Sequence, residues 1–158
     1  MYEGFYGLQE RPFALLPDPS FLYLSKGHST ALTLLRYSIL NRQGFTVVSG
    51  EVGSGKTTLI NRLLDEMKSG MTVGLINFTT RSFGDMAEWI MMAYGLPYKN
   101  KSKVELYDDF VQFMIREYAA GRPVVLIVDE AQNLGIRGLE EIRMLSNVNA
   151  QKDYLLHV

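Results

Sequence analysis

Eight consecutive residues, Gly50-Glu51-Val52-Gly53-Ser54-Gly55-Lys56-Thr57, carry the most specific chemistry in the chain. They fit G-x-x-x-x-G-K-[ST] at every fixed position, the pattern of a loop that cradles phosphate groups. The residue types matter physically. Gly50, Gly53 and Gly55 allow backbone angles and a close approach that a Cβ would block. The N–H groups from about Val52 to Thr57 can then point at phosphate oxygens, helped by the positive end of the following helix. Lys56 would reach the β- and γ-phosphates of a nucleoside triphosphate, and the Thr57 hydroxyl would take one Mg²⁺ position. The expected nucleotide-contacting set is Gly50, Glu51, Val52, Gly53, Ser54, Gly55, Lys56, Thr57 and Thr58. A chance glycine turn ahead of a helix would leave the same letters. Here an apolar strand precedes the motif and an amphipathic helix follows it, as a phosphate cradle requires.

The second chemical feature is Val124-Val125-Leu126-Ile127-Val128-Asp129-Glu130. Five apolar residues in a row mark a strand buried on both faces. Two adjacent carboxylates at its end need a reason, because desolvated charge is costly unless paired or metal-bound. Asp129 suits a direct or water-mediated Mg²⁺ partner of Thr57. Glu130, one residue beyond, is placed to polarise a water for in-line attack on the γ-phosphate. Together Lys56 and Glu130 are the expected catalytic residues, and Thr57 and Asp129 the expected metal residues.

Weaker candidates surround these. Asn77, Thr79 and Thr80 lie at the end of a second strand, where a polar side chain could hold Glu130 unproductive; ordinary turn polarity explains them equally. Gln132 and Asn133 could touch the γ-phosphate or a neighbouring subunit, or cap a loop. His28, at a helix start, reads as a structural or capping residue. Met86, Met91, Met92 and Met114 read as core filling rather than a binding groove.

Several elements must position these groups. The first 24 residues combine Pro12, Pro17 and Pro19 with Phe5, Tyr6, Phe13, Phe21 and Tyr23. Such prolines forbid a long helix, and so many aromatics suit an irregular, packed strap. The spacing predicts helices over 26–42, with Leu32, Leu35 and Ile39 inward, and over 56–68, with Leu59, Leu63 and Met67 on one face. Strands are expected at 45–48 and 71–78. Ser82 with Asp85 would cap a helix to about Tyr94, and Ser102 with Glu105 forms a capping box for another. A last helix over 138–147 would bury Leu139, Ile142 and Leu145, and Tyr154 would open a fourth strand. Alternating strands and helices predict an α/β fold with a mainly parallel sheet and helices on both faces.

Composition sets outer bounds. At 158 residues, one domain is the natural expectation: residues 1–44 as strap and first helix, 45–158 as a partial nucleotide-binding core. Sixteen basic against seventeen acidic residues leave a formal charge of −1, which argues against a protein built mainly to grip DNA or an acidic membrane. With no cysteine, disulfides, thiolate metal sites and thiol catalysis are excluded. His28 and His157 make no recognisable metal spacing. No apolar run reaches the length of a membrane helix, and the N-terminus lacks signal-peptide features.

Beyond the shared motif, the chain resembles the ExeA-type general-secretion ATPases, members of the AAA+ group of P-loop NTPases. The resemblance rests on Phe5-Tyr6-Gly7-Leu8, Arg11-Pro12-Phe13, Pro17-Asp18-Pro19, Phe21-Leu22-Tyr23-Leu24-Ser25, His28, Ala31, Leu32, Gly44-Phe45, Gly50-Glu51-Val52-Gly53, Asp129-Glu130-Ala131-Gln132-Asn133-Leu134 and Leu145-Ser146-Asn147. It implies ATP as the nucleotide, a Walker A role for Lys56 and Thr57, a Walker B role for Asp129 and a catalytic-base role for Glu130. It further implies self-association into a ring or oligomer in the full-length protein. Partners would be secretion or envelope proteins, at a cytoplasmic site near the inner membrane. The implied sheet order is 5-1-4-3-2, of which strand five, an arginine finger and a helical lid are missing here. The expected fold is therefore a three-layer α/β/α P-loop core truncated after the start of the fourth strand, weakly active or inactive alone. Transposition helper ATPases of the MuB and TniB kind share similar Walker boxes and act on DNA; the near-zero net charge disfavours that alternative.

Overall fold

Alternate residues of Val124–Asp129 face opposite layers, and this strand organises the molecule. Val124 and Leu126 join one core cluster, whereas Val125 joins another. The computed structural model describes residues 2–9, 22–67, 70–77, 85–150 and 152–158. Its elements run α1 (Tyr2–Phe5), α2 (Lys26–Leu40), α3 (Lys56–Glu66), β1 (Thr72–Asn77), α4 (Met86–Ala93), α5 (Lys103–Ala119), β2 (Val124–Asp129), α6 (Gly135–Ser146), β3 (Asn149–Ala150), β4 (Asp153–Tyr154) and β5 (Leu156–His157). The central sheet has the order β1-β2-β5, with every pair parallel. Residues 44–46 extend it: the Thr46 N–H donates to Val158 O at 2.8 Å and the Val158 N–H to Gly44 O at 2.9 Å. Among the described residues, the segment leading into the Gly50–Thr57 loop thus lies outermost beside β5, with β2 and β1 beyond. This matches the order implied by the resemblance.

Helices cover both faces, giving the three-layer α/β/α arrangement. On one side Leu32, Leu35 and Ile39 of α2 meet Leu59 and Leu63 of α3 over Val125. On the other, Ile90 and Met91 of α4, Leu106, Phe110 and Met114 of α5, and Ile142 and Leu145 of α6 pack over Val124 and Leu126. The Lys103 ammonium ties the second set together, contacting Asp85 at 2.6 Å and Glu141 at 3.2 Å. The capping box of α5 is present: the Ser102 hydroxyl accepts from the Glu105 N–H, and the Glu105 carboxylate accepts from the Ser102 N–H. That satisfies two otherwise orphaned helix-start donors.

Six expectations need correction. Residues 45–48 are extended but not laddered, because only Gly44 and Thr46 find partners on Val158; Val47 stands 84% exposed. Asp85 itself caps α4, accepting from the Ala87 N–H at 3.3 Å; Ser82 lies outside the described residues. Leu139 is half exposed, because the buried stripe of α6 runs through Gly138, Ile142, Leu145 and Ser146 and passes it by. Tyr154 sits in an antiparallel hairpin with β3, and the strand that joins the sheet begins at Leu156. The described aromatics of the N-terminal strap are not packed: Phe5 and Tyr6 meet edge to face 4.9 Å apart, and both, like Tyr23, face solvent. Among the described strap residues, only Leu22 packs against the core. Pro12, Phe13, Pro17, Pro19 and Phe21 lie outside the described residues. Of the methionines, Met86, Met91 and Met114 fill the core, while Met92 is 43% exposed.

Candidate nucleotide-binding site

The extended segment after Thr46 delivers the chain to the loop Gly50–Thr57, and α3 begins at Lys56. Gly55 is the N-cap of α3, with φ +85°, and Gly53 also has positive φ, +78°. An L side chain is strained in that region, so glycine is required for the turn into the helix. No side chain caps α3. Its first N–H groups therefore lack intrahelical partners and make an anion-seeking helix start. The Ser54 N–H closes the loop on Glu51 O at 3.2 Å. Val52 stands fully in solvent at the loop tip.

Lys56 folds back over the loop. Its ammonium donates to Gly50 O at 3.0 Å and to Glu51 O at 2.9 Å. Both acceptors are neutral carbonyls, which an anionic oxygen would outcompete for an ammonium donor.

Seventy-two residues further on, β2 brings the acidic pair to the same place. The Thr57 hydroxyl donates to Asp129 Oδ2 at 2.9 Å. Asp129 Oδ1 accepts from the Glu130 N–H at 3.0 Å. Glu130 has a left-handed backbone, φ +56° and ψ +41°, which is costly for a residue with a long side chain. Local bonds hold it there. The Asn133 N–H donates to Glu130 O at 2.9 Å, and the Gln132 side-chain amide donates to the Glu130 carboxylate. A single 3-10 turn, Ala131–Asn133, forms this corner. Lys56, Asp129, Glu130 and Gln132 share a cleft of about 230 Å³, walled on its apolar side by residues such as Val48 and Leu139.

The structure therefore brings together Lys56, Thr57, Asp129 and Glu130 around one loop. Asn77 lies directly across the ladder from Asp129, one residue short of Glu130. The amide that engages Glu130 comes instead from Gln132, because the left-handed turn at Glu130 folds the chain back on itself. Thr79 and Thr80 lie outside the described residues. His157, buried in β5, bonds Gln43 O through Nδ1, and burial pushes its pKa below the ordinary histidine value. Sequence reasoning missed one residue with a direct contact to the loop: His28, whose Nε2 lies 2.8 Å from Ser54 O. A Ser25 cap with His28 three residues on places the ring at the start of α2. Nothing local reveals that the ring also reaches residue 54.

Residues 39–158 match the family described as AAA domain, and the match contains the whole loop and both acidic residues. The chain belongs to that family. Over 159 aligned residues, covering all of this chain, it is 35% identical to General secretion pathway protein A of Aeromonas hydrophila. It spans 29% of the length of that relative.

Proposed function

We propose that this chain binds ATP with Mg²⁺ and is the hydrolytic module of a larger secretion or envelope-assembly machine. The observation that carries the reading is the 2.9 Å hydrogen bond between Thr57 and Asp129. A hydroxyl and a carboxylate, both hard oxygen donors, meet beside an uncapped helix start and a lysine. Mg²⁺ is held by this kind of small protein contribution, together with phosphate oxygens and water. Among the described residues no three His, Cys, Asp or Glu side chains gather into an all-protein cage, which suits a cation arriving with its nucleotide. Thr57 and Asp129 would hold the ion, which would supply positive charge against the phosphates.

In this reading the loop N–H groups from Val52 to Thr58 hold the phosphates, and Lys56 leaves its carbonyls for the β- and γ-oxygens. Glu130 orients and deprotonates the attacking water, a task that requires its carboxylate to leave the Gln132 amide. ATP rather than GTP follows from the family. Partners, by analogy with the secretion relative, are further copies of the full-length chain and envelope proteins, on the cytoplasmic side of the inner membrane. No helix among the described residues is long and apolar enough to cross a membrane.

The test is a titration with a fluorescent ATP analogue, with and without Mg²⁺. Lys56→Ala should weaken binding by about a hundredfold, the order of two charge-assisted contacts. Glu130→Gln should bind as wild type and lose turnover in the full-length protein. Unchanged affinity in Lys56→Ala would sink the assignment.

A further inference from the structure

We propose that His28 is a positioning residue of the phosphate loop, holding the Ser54–Gly55 peptide so that the Gly55 N–H faces the phosphate site. This rests on the nucleotide-binding reading above. The ring is held at both nitrogens. Nδ1 lies 2.9 Å from Ser25 Oγ and Nε2 lies 2.8 Å from Ser54 O. A carbonyl oxygen only accepts, so Nε2 carries the proton and donates. The Ser25 hydroxyl also accepts from the His28 N–H at 3.3 Å, so the same group holds both the backbone and the ring of His28. All three contacts are compatible with a ring protonated at Nε2, the nitrogen that meets the carbonyl.

The consequence for the loop follows from peptide planarity. In a trans peptide the carbonyl oxygen of one residue and the N–H of the next point in opposite directions. Tying Ser54 O to the His28 ring therefore turns the Gly55 N–H away from α2. Gly55 is the N-cap of α3, where loop N–H groups and helix N–H groups join into one anion-binding concavity. The ring also packs on Gly55 itself, since a Cβ added there would lie 3.3 Å from Nε2. Without this anchor, the Ser54–Gly55 plane has glycine freedom on one side and solvent on the other.

His28 can act as an anchor because its helix is fixed to the one it serves. Leu32, Leu35 and Ile39 of α2 interlock with Leu59 and Leu63 of α3, and Arg36 of α2 pairs with Glu66 of α3. The Arg36 hydrogen bond, with help from Arg62, holds the Glu66 carboxyl below its ordinary value. His28 lies ahead of residues 39–158, so this support reaches the loop from outside the segment that defines the family.

The experiment compares His28→Gln, His28→Asn and His28→Ala by calorimetric titration with Mg²⁺–ATP and with Mg²⁺–tripolyphosphate, alongside Lys56→Ala. The Gln amide nitrogen reaches about where Nε2 stands; the Asn amide reaches only the Nδ1 position. His28→Gln should keep affinity within about twofold of wild type. His28→Asn and His28→Ala should weaken both ligands by the same factor, about three- to tenfold, the scale of one hydrogen bond. Thermal unfolding without ligand should not separate Gln from Asn. Equal affinity in Gln and Asn, or wild-type affinity in Ala, overturns the proposal; if Ala does not fold, the Gln–Asn pair decides. Wild-type protein that binds neither ligand overturns the nucleotide reading and this proposal with it. Binding that depends on Lys56 and ignores His28 overturns this proposal alone.

Discussion

Glu117 offers a perturbation whose sign and size can be worked from geometry. Its carboxylate takes a two-pronged hydrogen bond from Arg122, Nε at 2.7 Å and Nη2 at 2.6 Å, and a third from the Thr72 hydroxyl. One group thus joins the end of α5, the turn after it and the first residue of β1. Arg122 above all, then Thr72, lowers the Glu117 pKa from 4.5 to about 2. A folded pKa below the unfolded one means that the ionised form favours the fold. The contribution is complete above about pH 4.5 and fades as pH falls toward about 2. Arg122 is 47% exposed on its side chain, so water screens the pair. About 1 kcal/mol is therefore expected at neutral pH rather than the roughly 3 kcal/mol that the same span would represent in a dry site. Glu117→Gln removes the charge and keeps the shape. Its melting temperature should fall by about 3 °C at pH 7, given the usual response of a domain near this size. Urea unfolding of both proteins at pH 7, 4.5 and 3 measures the gap. It should be widest at pH 7 and cut to about half or less at pH 3, closing as pH nears 2. A gap that stays constant with pH, or widens on acidification, refutes the reasoning.

Two further outcomes follow from contacts already described. A Cβ at Gly74 of β1 would lie 2.7 Å from the Tyr94 ring, which is wedged against Phe110 and Phe113 with centroids 5.4 and 5.3 Å away. Gly74→Ala should therefore destabilise by about 1–3 kcal/mol through overpacking, and equal stability in chemical denaturation would contradict it. In a double-mutant cycle, Thr57→Ala and Asp129→Ala should couple by about 1 kcal/mol without ligand, since either change removes the same hydrogen bond. Strictly additive unfolding energies would show that the contact contributes nothing.

The chemistry was more legible than the frame that presents it. The loop Gly50–Thr57 and the pair Asp129-Glu130 announce themselves because glycine, lysine and carboxylates in those positions have few other uses. Their meeting needed only an apolar strand ending where β2 ends. The helix start at Ser102 was equally visible, since a capping box is local. What stayed hidden depends on partners far along the chain. Residues 45–48 carry strand-forming side chains, yet a strand is laddered only where a neighbour exists, and Val158 supplies one at its start alone. Leu139 fits a helical stripe by spacing, but which stripe faces inward was settled by Met86 and Leu134 closing on Gly138. The His28–Ser54 contact spans 26 residues, and no periodicity encodes it.

Asp129 gives its two oxygens to different neighbours, Oδ2 to the Thr57 hydroxyl and Oδ1 to the Glu130 amide. They belong to one rigid planar group at the end of a single methylene. Length at this position is therefore as restricted as charge. A glutamate would keep the anion but overshoot both neighbours; an asparagine would keep the reach but offer a donor where one neighbour already donates. Homologous chains that retain this corner should tolerate neither exchange, so position 129 tests shared geometry more stringently than the glycines do.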